Sequence, residues 1–305
     1  MAKVGEAEVM AEHGITDIFI AYPIVVPSKI ERAIRLSRDI RLSLGVDSWE
    51  GAKLLSGMAA KHNVELTVLL ELDTGLRRTG VAVERAVDLA VEIAKLPHLK
   101  LEGIFTFKGA VYQGQSTLDL RAAGLEEGRQ MVDAAERMRE RGLSIERVSV
   151  GSTPTAPYAA QVEGVTEIRP GTYIFYDRMQ TRLQVCSPED WAASVIVTVV
   201  SIPSPDLVVI DGGSKTFATD VQPNQPPLNL QGFGTVMGYP DAVLERMNEE
   251  HGMIRMNGPH SLAIGDTLAI VPNHICSTIN LHDTVYLKDG DQLEAVDVLA
   301  RGKVR

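Results

Sequence analysis

The sequence predicts a two-part fold, a parallel α/β sheet over about the first 180 residues and then a mostly antiparallel β domain. Two observations predict it. In the first part, short β-branched or Leu-rich runs alternate with amphipathic stretches, and such repetition means parallel strands joined by right-handed crossovers. From residue 183 the apolar runs follow one another with turn residues between them and no long helical pattern, as antiparallel sheets do.

In order, ITDIFIA (15–21), IRLSLGV (40–46), VELTVLLEL (64–72), KLEGIFTF (100–107), IERVSVG (145–151) and TEIRPG (166–171) read as buried parallel strands whose ends carry Gly, Pro or Asp. Between them, Val83, Ala86, Ala90 and Ile93 share one helical face, as do Leu118, Ala122, Leu125, Val132, Ala135 and Met138. Gly142 stands where a helix C-terminus wants glycine. Six strand–helix units are visible, whereas a closed (β/α)8 barrel needs eight and an open sheet does not. The second part offers SVIVTVVSIP (194–203), DLVVIDGG (206–213), SLAIGDTLAIVP (261–272) and DTVYLKDG (283–290) as strands, with a Pro-, Gly- and Asn-rich loop over 220–240.

Bulk properties narrow the function. At 305 residues, the chain has room for one large domain or two ordinary ones. A net charge of −10 argues against nucleic acid as partner, because Lys and Arg drive that binding. No run approaches the ~18 apolar residues of a membrane span. The charged start, MAKVGEAEVMAEHG, is no signal peptide. Cys186 and Cys276 alone make no disulfide framework and suit a reducing cytoplasm.

Four segments carry chemistry. Gly151-Ser152-Thr153-Pro154 opens a short helical stretch, where backbone N–H groups and hydroxyls suit an anion; the same residues also make an ordinary helix cap. Asp73-Thr74-Gly75 with Arg77 and Arg78 closes the third strand, as a ligand-facing element or a capping turn with solvated arginines. Arg169-Pro170-Gly171 with Tyr173 closes the last strand, as a ligand element or a turn whose Tyr packs in the core. In Pro272-Asn273-His274-Ile275-Cys276, a His and a Cys two apart on a strand point to one side, and both are good zinc ligands. The plainer reading is a buried Cys beside a hydrogen-bonded His. Glu249-Glu250-His251-Gly252 reads most simply as a solvated helix end.

With these segments in order, the chain resembles the D-serine dehydratase and D-threonine aldolase branch of the alanine-racemase-like (fold-type III) pyridoxal-phosphate enzymes. Residues Ala2 to Glu8 (AKVGEAE) are similar to the segment after the second barrel strand in that branch. Asp73-Thr74-Gly75 with Arg78 resembles its DTG-x-x-R element, Gly151 to Thr153 its phosphate loop, and Arg169-Pro170-Gly171 its RPG. Glu250-His251-Gly252 and Pro272-Asn273-His274-x-Cys276 match its EHG and metal-binding PNH-x-C. Two departures stand out: Ala110 follows Gly109 where a histidine is expected, and no lysine lies in the motif of the family's Schiff-base lysine.

The resemblance implies a (β/α)8 TIM barrel over 1–182 that binds pyridoxal 5'-phosphate, and a β domain with a metal site over 183–305. The visible units correspond to strands three to eight, so the chain is expected to be truncated at its N-terminus, without the strand that bears the lysine. Gly151, Ser152 and Thr153 would hold the phosphate, Arg78 and Arg169 would face the ring, and Tyr112 and Tyr173 would line the cofactor. His274 and Cys276 would bind Zn2+ and make the substrate's β-hydroxyl a better leaving group. The implied activity is D-serine dehydration by a cytoplasmic homodimer. The alternatives are D-threonine aldolase, in which a carboxylate often replaces the cysteine, and a non-catalytic cofactor-binding protein or inactive fragment.

Overall fold

A computed structural model describes residues 1–304, which form two compact units, Met1–Pro170 joined by the tail from Gly302, and Gly171–Arg301. The first unit is a curved parallel sheet, part of a barrel. Its strands are β1 (Asp17–Pro23), β2 (Arg41–Val46), β3 (Leu66–Asp73), β4 (Val81–Ala82), β5 (Leu99–Phe105), β8 (Arg147–Val150) and β9 (Glu167–Ile168), with a hairpin of β6 (Val111–Tyr112) and β7 (Gln115–Ser116) inserted. The order is β1-β2-β3-β5-β8-β9, with the two-residue β4 beside β3. Every neighbouring pair along this order is parallel, so all these strands end on the same side.

Helices α1 (Val4–Glu12), α2 (Pro27–Leu36), α3 (Trp49–His62), α4 (Val83–Ile93), α5 (Leu120–Glu140) and the single turn α6 (Ala156–Ala159) connect the strands. The strand periodicity of two separates two faces. Ile20, Leu44, Leu70, Ile104 and Val148 pack with Ile30, Ile34, Leu55, Ala90 and Met131 of the helices. The other face carries Phe19 edge-on to Phe105, ring centres 4.9 Å apart, and Arg147 donating to Ser43 Oγ at 2.9 Å. Because both faces are covered, β2 and β3 read as almost continuous apolar runs.

Local chemistry sets the helix ends. Ser48 accepts from Gly51 N at the start of α3, and Asn63 ends it in the left-handed region. Asp119 accepts from Ala122 N to start α5, which leaves Leu118 outside the helix and exposed, not on its apolar face. Gly142, at φ +83°, closes α5 as expected.

The second unit holds β10 (Val195–Ser204), β11 (Leu207–Ile210), β12 (Gly234–Val236), β13 (Val243–Met247), β14 (Gly252–Arg255) and β15 (Thr267–Pro272) in the order β12-β15-β10-β11-β14-β13. All pairs are antiparallel, around a core of Val197, Val208, Phe217, Leu244, Ile254 and Ile270. Short helices α7 (Arg178–Arg182) and α8 (Ile275–Ile279) and the hairpin of β16 (Thr284–Asp289) and β17 (Gln292–Asp297) complete it. Three expectations change. Residues 248–251 are a turn joining β13 to β14, which Gly252 begins, with Asn248 N donating to His251 O at 2.9 Å, so this stretch is not a helix end. Residues 261–266 lie outside β15, and within 220–240 the loop gives way to β12.

Candidate functional site

Each unit contains one cluster of chemistry-bearing side chains. In the first, the clustered loops all follow strand ends on one side of the parallel sheet, where ligands bind in such folds. After β3, Asp73 Oδ1 accepts from Gly75 N at 2.9 Å and from Arg77 N at 3.0 Å, a tight turn. Gly80 closes it at φ +101°, where a Cβ would stand 2.6 Å from Asp73 N. Arg78 is exposed and lies over the Phe107 ring, 5.1 Å from its centre. Thr74 Oγ1 meets Thr106 Oγ1 at 2.8 Å, which ties the DTG turn to the end of β5.

Arg169 donates through Nη1 to Ser149 Oγ at 2.5 Å and through Nη2 to Thr106 O. Burial pulls its pKa down, while Glu167, Glu127 and Glu71 pull it back up. Gly151 adopts φ +92°, and Ser152 and Thr153 follow it as buried hydroxyls. The Ser152 and Thr155 hydroxyls are 3.0 Å apart. Tyr112 sits on the β6–β7 hairpin, partly exposed, with Gln113 Nε2 donating to its Oη at 3.3 Å. Tyr173 belongs to the second unit, in a 3-10 turn, and is 52% exposed, so it does not pack in a core.

Three buried charges near these loops escaped sequence reasoning. Glu71, on β3, accepts from Thr79 Oγ1 at 2.8 Å through Oε1, while its buried Oε2 has no partner among the described residues. Burial raises its pKa, the Thr79 bond opposing. Lys108 is fully buried and its ammonium pairs with Glu126. Glu127, on α5, is fully buried and accepts from Lys108 N and Gly151 N at 3.2 Å each and from Thr155 Oγ1 at 3.2 Å. Burial raises its pKa against those three bonds. The one signal for Glu127 was its place between Gly124 and Gly128, on one helical face. A positive-φ glycine, two buried hydroxyls and an unsatisfied buried carboxylate form a donor–acceptor set that fits a small phosphorylated ligand with a polar ring.

In the second unit the PNH-x-C segment is not a strand. β15 ends at Pro272, His274 caps α8, and Cys276 lies in its first turn. The side chains are therefore brought together by a helical turn, not by strand alternation. Asp177 holds that turn: its Oδ2 accepts from Ile275 N and its Oδ1 from Gln180 N, both at 2.9 Å, so one buried carboxylate caps α7 and α8. Burial raises its pKa, against the bonds from Ile275 and Gln180. Buried Asn273 donates to Gly232 O at 2.9 Å and accepts from Arg178 at 3.1 Å.

His274 Nδ1 is 2.5 Å from Asp220 Oδ2, and Ser277 Oγ donates to the same oxygen at 3.2 Å. Cys276 Sγ is 3.3 Å from Thr172 Oγ1. Burial disfavours the imidazolium, yet hydrogen bonds with Cys276 and Asp220 outweigh it and hold His274 at about 9. Burial likewise works against the Cys276 thiolate, but bonds with His274 and Thr172 bring its pKa below the ordinary value. Asp220 orients the imidazole through Nδ1, as carboxylates do at metal-binding histidines, while the ring also hydrogen-bonds Cys276, a bond that a bound metal would replace. Among the described residues no three His, Cys, Asp or Glu side chains form a metal-holding group. His274 and Cys276 supply an imidazole and a thiol, two donor types that would suit zinc.

Two family models match the chain in succession. Residues 1–179 match the family described as "Alanine racemase, N-terminal domain", and residues 192–288 that described as "Putative serine dehydratase domain". The chain is similar to D-threo-3-hydroxyaspartate dehydratase of Delftia sp. (33% identity, 91% of this chain and 77% of the relative). It is similar to D-threonine aldolase of Arthrobacter sp. (28%, 98% and 78%) and to D-serine dehydratase of Dictyostelium discoideum (29%, 90% and 75%). The solved Delftia enzyme superimposes with a TM-score of 0.86 at 30% identity, covering 97% of this chain and 82% of that one. A cysteine-to-alanine variant of a D-threo-3-hydroxyaspartate dehydratase has been solved in a metal-free form. The chain therefore belongs to the alanine-racemase-like (fold-type III) pyridoxal-phosphate enzymes, in their D-serine dehydratase and D-threonine aldolase branch.

Proposed function

We propose that this protein is a pyridoxal-phosphate-dependent, zinc-assisted lyase that removes water and ammonia from D-serine or a close D-β-hydroxy amino acid. The relatives support the coarser class, since those compared are dehydratases and an aldolase acting on D-hydroxy amino acids. The observation that carries the finer reading is the pair His274 and Cys276 on a turn locked by Asp177, with Asp220 orienting the imidazole. When bound, the cofactor supplies an electron sink for the carbanion at Cα, and the metal polarises the β-hydroxyl. Gly151, Ser152 and Thr153 would hold the phosphate, Arg78 and Arg169 would serve the ring, and Tyr112 would line the cofactor. Two protein ligands leave coordination positions for water and substrate, unlike a closed structural site.

The test is a substrate panel on the full-length protein, with cofactor and zinc supplied. Pyruvate from D-serine is expected. Aldehyde from D-threonine without pyruvate would move the assignment to the aldolase. Interconversion of alanine enantiomers without either product would defeat the lyase.

A further inference from the structure

Glu127 joins three segments that the phosphate reading needs. Gly124, Glu127 and Gly128 share one face of α5, and the glycines bring that face onto the turn after Gly151. A Cβ on Gly124 would stand 2.7 Å from Thr155 O, and one on Gly128 2.7 Å from the Val162 side chain. Between them the carboxyl has unequal oxygens. Oε1 faces two backbone donors, Lys108 N and Gly151 N, whereas among the described residues Oε2 meets only the Thr155 hydroxyl, which in turn meets the Ser152 hydroxyl.

Backbone N–H groups only donate, so a proton on this carboxyl belongs on Oε2. The hydroxyls rotate to suit. If Glu127 is ionised, Thr155 donates to it and Ser152 donates to Thr155, which spends the Ser152 proton inside the protein. If Glu127 is neutral, Oε2–H donates to Thr155, Thr155 donates to Ser152, and the Ser152 hydroxyl is left to donate outward. We propose that Glu127 is a positioning residue whose neutral form turns the Ser152 hydroxyl toward a ligand phosphate at the Gly151–Thr153 loop. This rests on the reading of that loop as a phosphate cradle.

The charged surroundings are consistent with a neutral carboxyl. The Lys108 ammonium, from the loop after β5, is already engaged by Glu126 of α5. Arg169, beyond β9, favours the carboxylate, but burial dominates and raises the Glu127 pKa. A neutral carboxyl also spares a phosphate the repulsion of a second buried anion.

The experiment compares pyridoxine 5'-phosphate with pyridoxine, which lack the aldehyde and bind no lysine covalently. Calorimetry gives the affinity ratio of the two for wild type, Glu127→Gln and Glu127→Ala. Glu127→Gln, which can accept at one end and donate at the other, is expected to keep the wild-type ratio. Glu127→Ala is expected to lower it by about tenfold while leaving pyridoxine binding unchanged. An unchanged ratio in Glu127→Ala, or equal weakening of both ligands, overturns the positioning role. A tenfold tighter phosphate preference in Glu127→Gln overturns it too, because it means an ionised wild-type residue. No phosphate preference in wild type sinks the cradle reading, and this inference with it. Should Glu127→Ala not fold, infrared difference spectra of wild type against Glu127→Gln decide. A neutral carboxyl band that shifts with pyridoxine 5'-phosphate but not with pyridoxine is expected; carboxylate bands alone would overturn the proposal.

Discussion

Asp177 and Glu71 show how single buried carboxylates set the two clusters. Asp177 satisfies two backbone N–H groups at the starts of α7 and α8, and removing it orphans both. Asp177→Ala is expected to destabilise the second unit by about 1–3 kcal/mol and to weaken metal binding by loosening the His274 turn. Denaturant melts with metal titration check this, and wild-type metal affinity in a folded Asp177→Ala protein would contradict it. Glu71 differs in having one buried oxygen without a partner among the described residues. Its folded pKa is raised by burial, so the folded state holds the proton more tightly than the unfolded chain. Stability is therefore lost as pH rises from the ordinary glutamate value through the raised one. Glu71→Gln is expected to flatten that slope, as read by melting temperature against pH; an unaltered profile would show that Glu71 does not carry it. Neither residue was legible in the sequence. Glu71 sits inside an apolar run and Asp177 in an irregular stretch, and their importance comes from partners distant in the chain.

The strands of the first unit were legible because burial on both faces leaves apolar runs that only Gly, Pro and Asp interrupt. The helix ends were legible where caps are local, as at Gly142. What failed was short-range geometry set by tertiary contacts. His274 and Cys276 followed an apolar strand and looked like its continuation, but Asp177 starts a helix at Ile275. β13 was missed because Glu245 and Arg246 break the alternation of an edge strand whose register also shifts. Helix contact gives a prediction at this scale. Gly124→Ala gains about 1 kcal/mol of helix propensity, yet its Cβ must push a backbone oxygen 2.7 Å away, an overpacking cost of about 1–3 kcal/mol. A net loss of stability is expected in denaturant unfolding, and a gain would show that α6 yields easily.

At the scale of the molecule, two compact units with separate cores match two family models in succession, and each carries its own cluster. The resemblance was legible because its motifs are turns and loops of fixed spacing. The polar networks behind them were not, since they join β3, β5, α5 and the turn after β8.

The lyase reading depends most on the metal, since a metal at the β-hydroxyl separates this chemistry from racemisation. The direct measurement is zinc content after loading and desalting, for wild type, His274→Ala and Cys276→Ala. The predicted result is about one ion per wild-type chain and loss of that ion in both variants, with their folds intact. Equal zinc in all three proteins, or none in any, would contradict it and leave His274 and Cys276 as a structural pair.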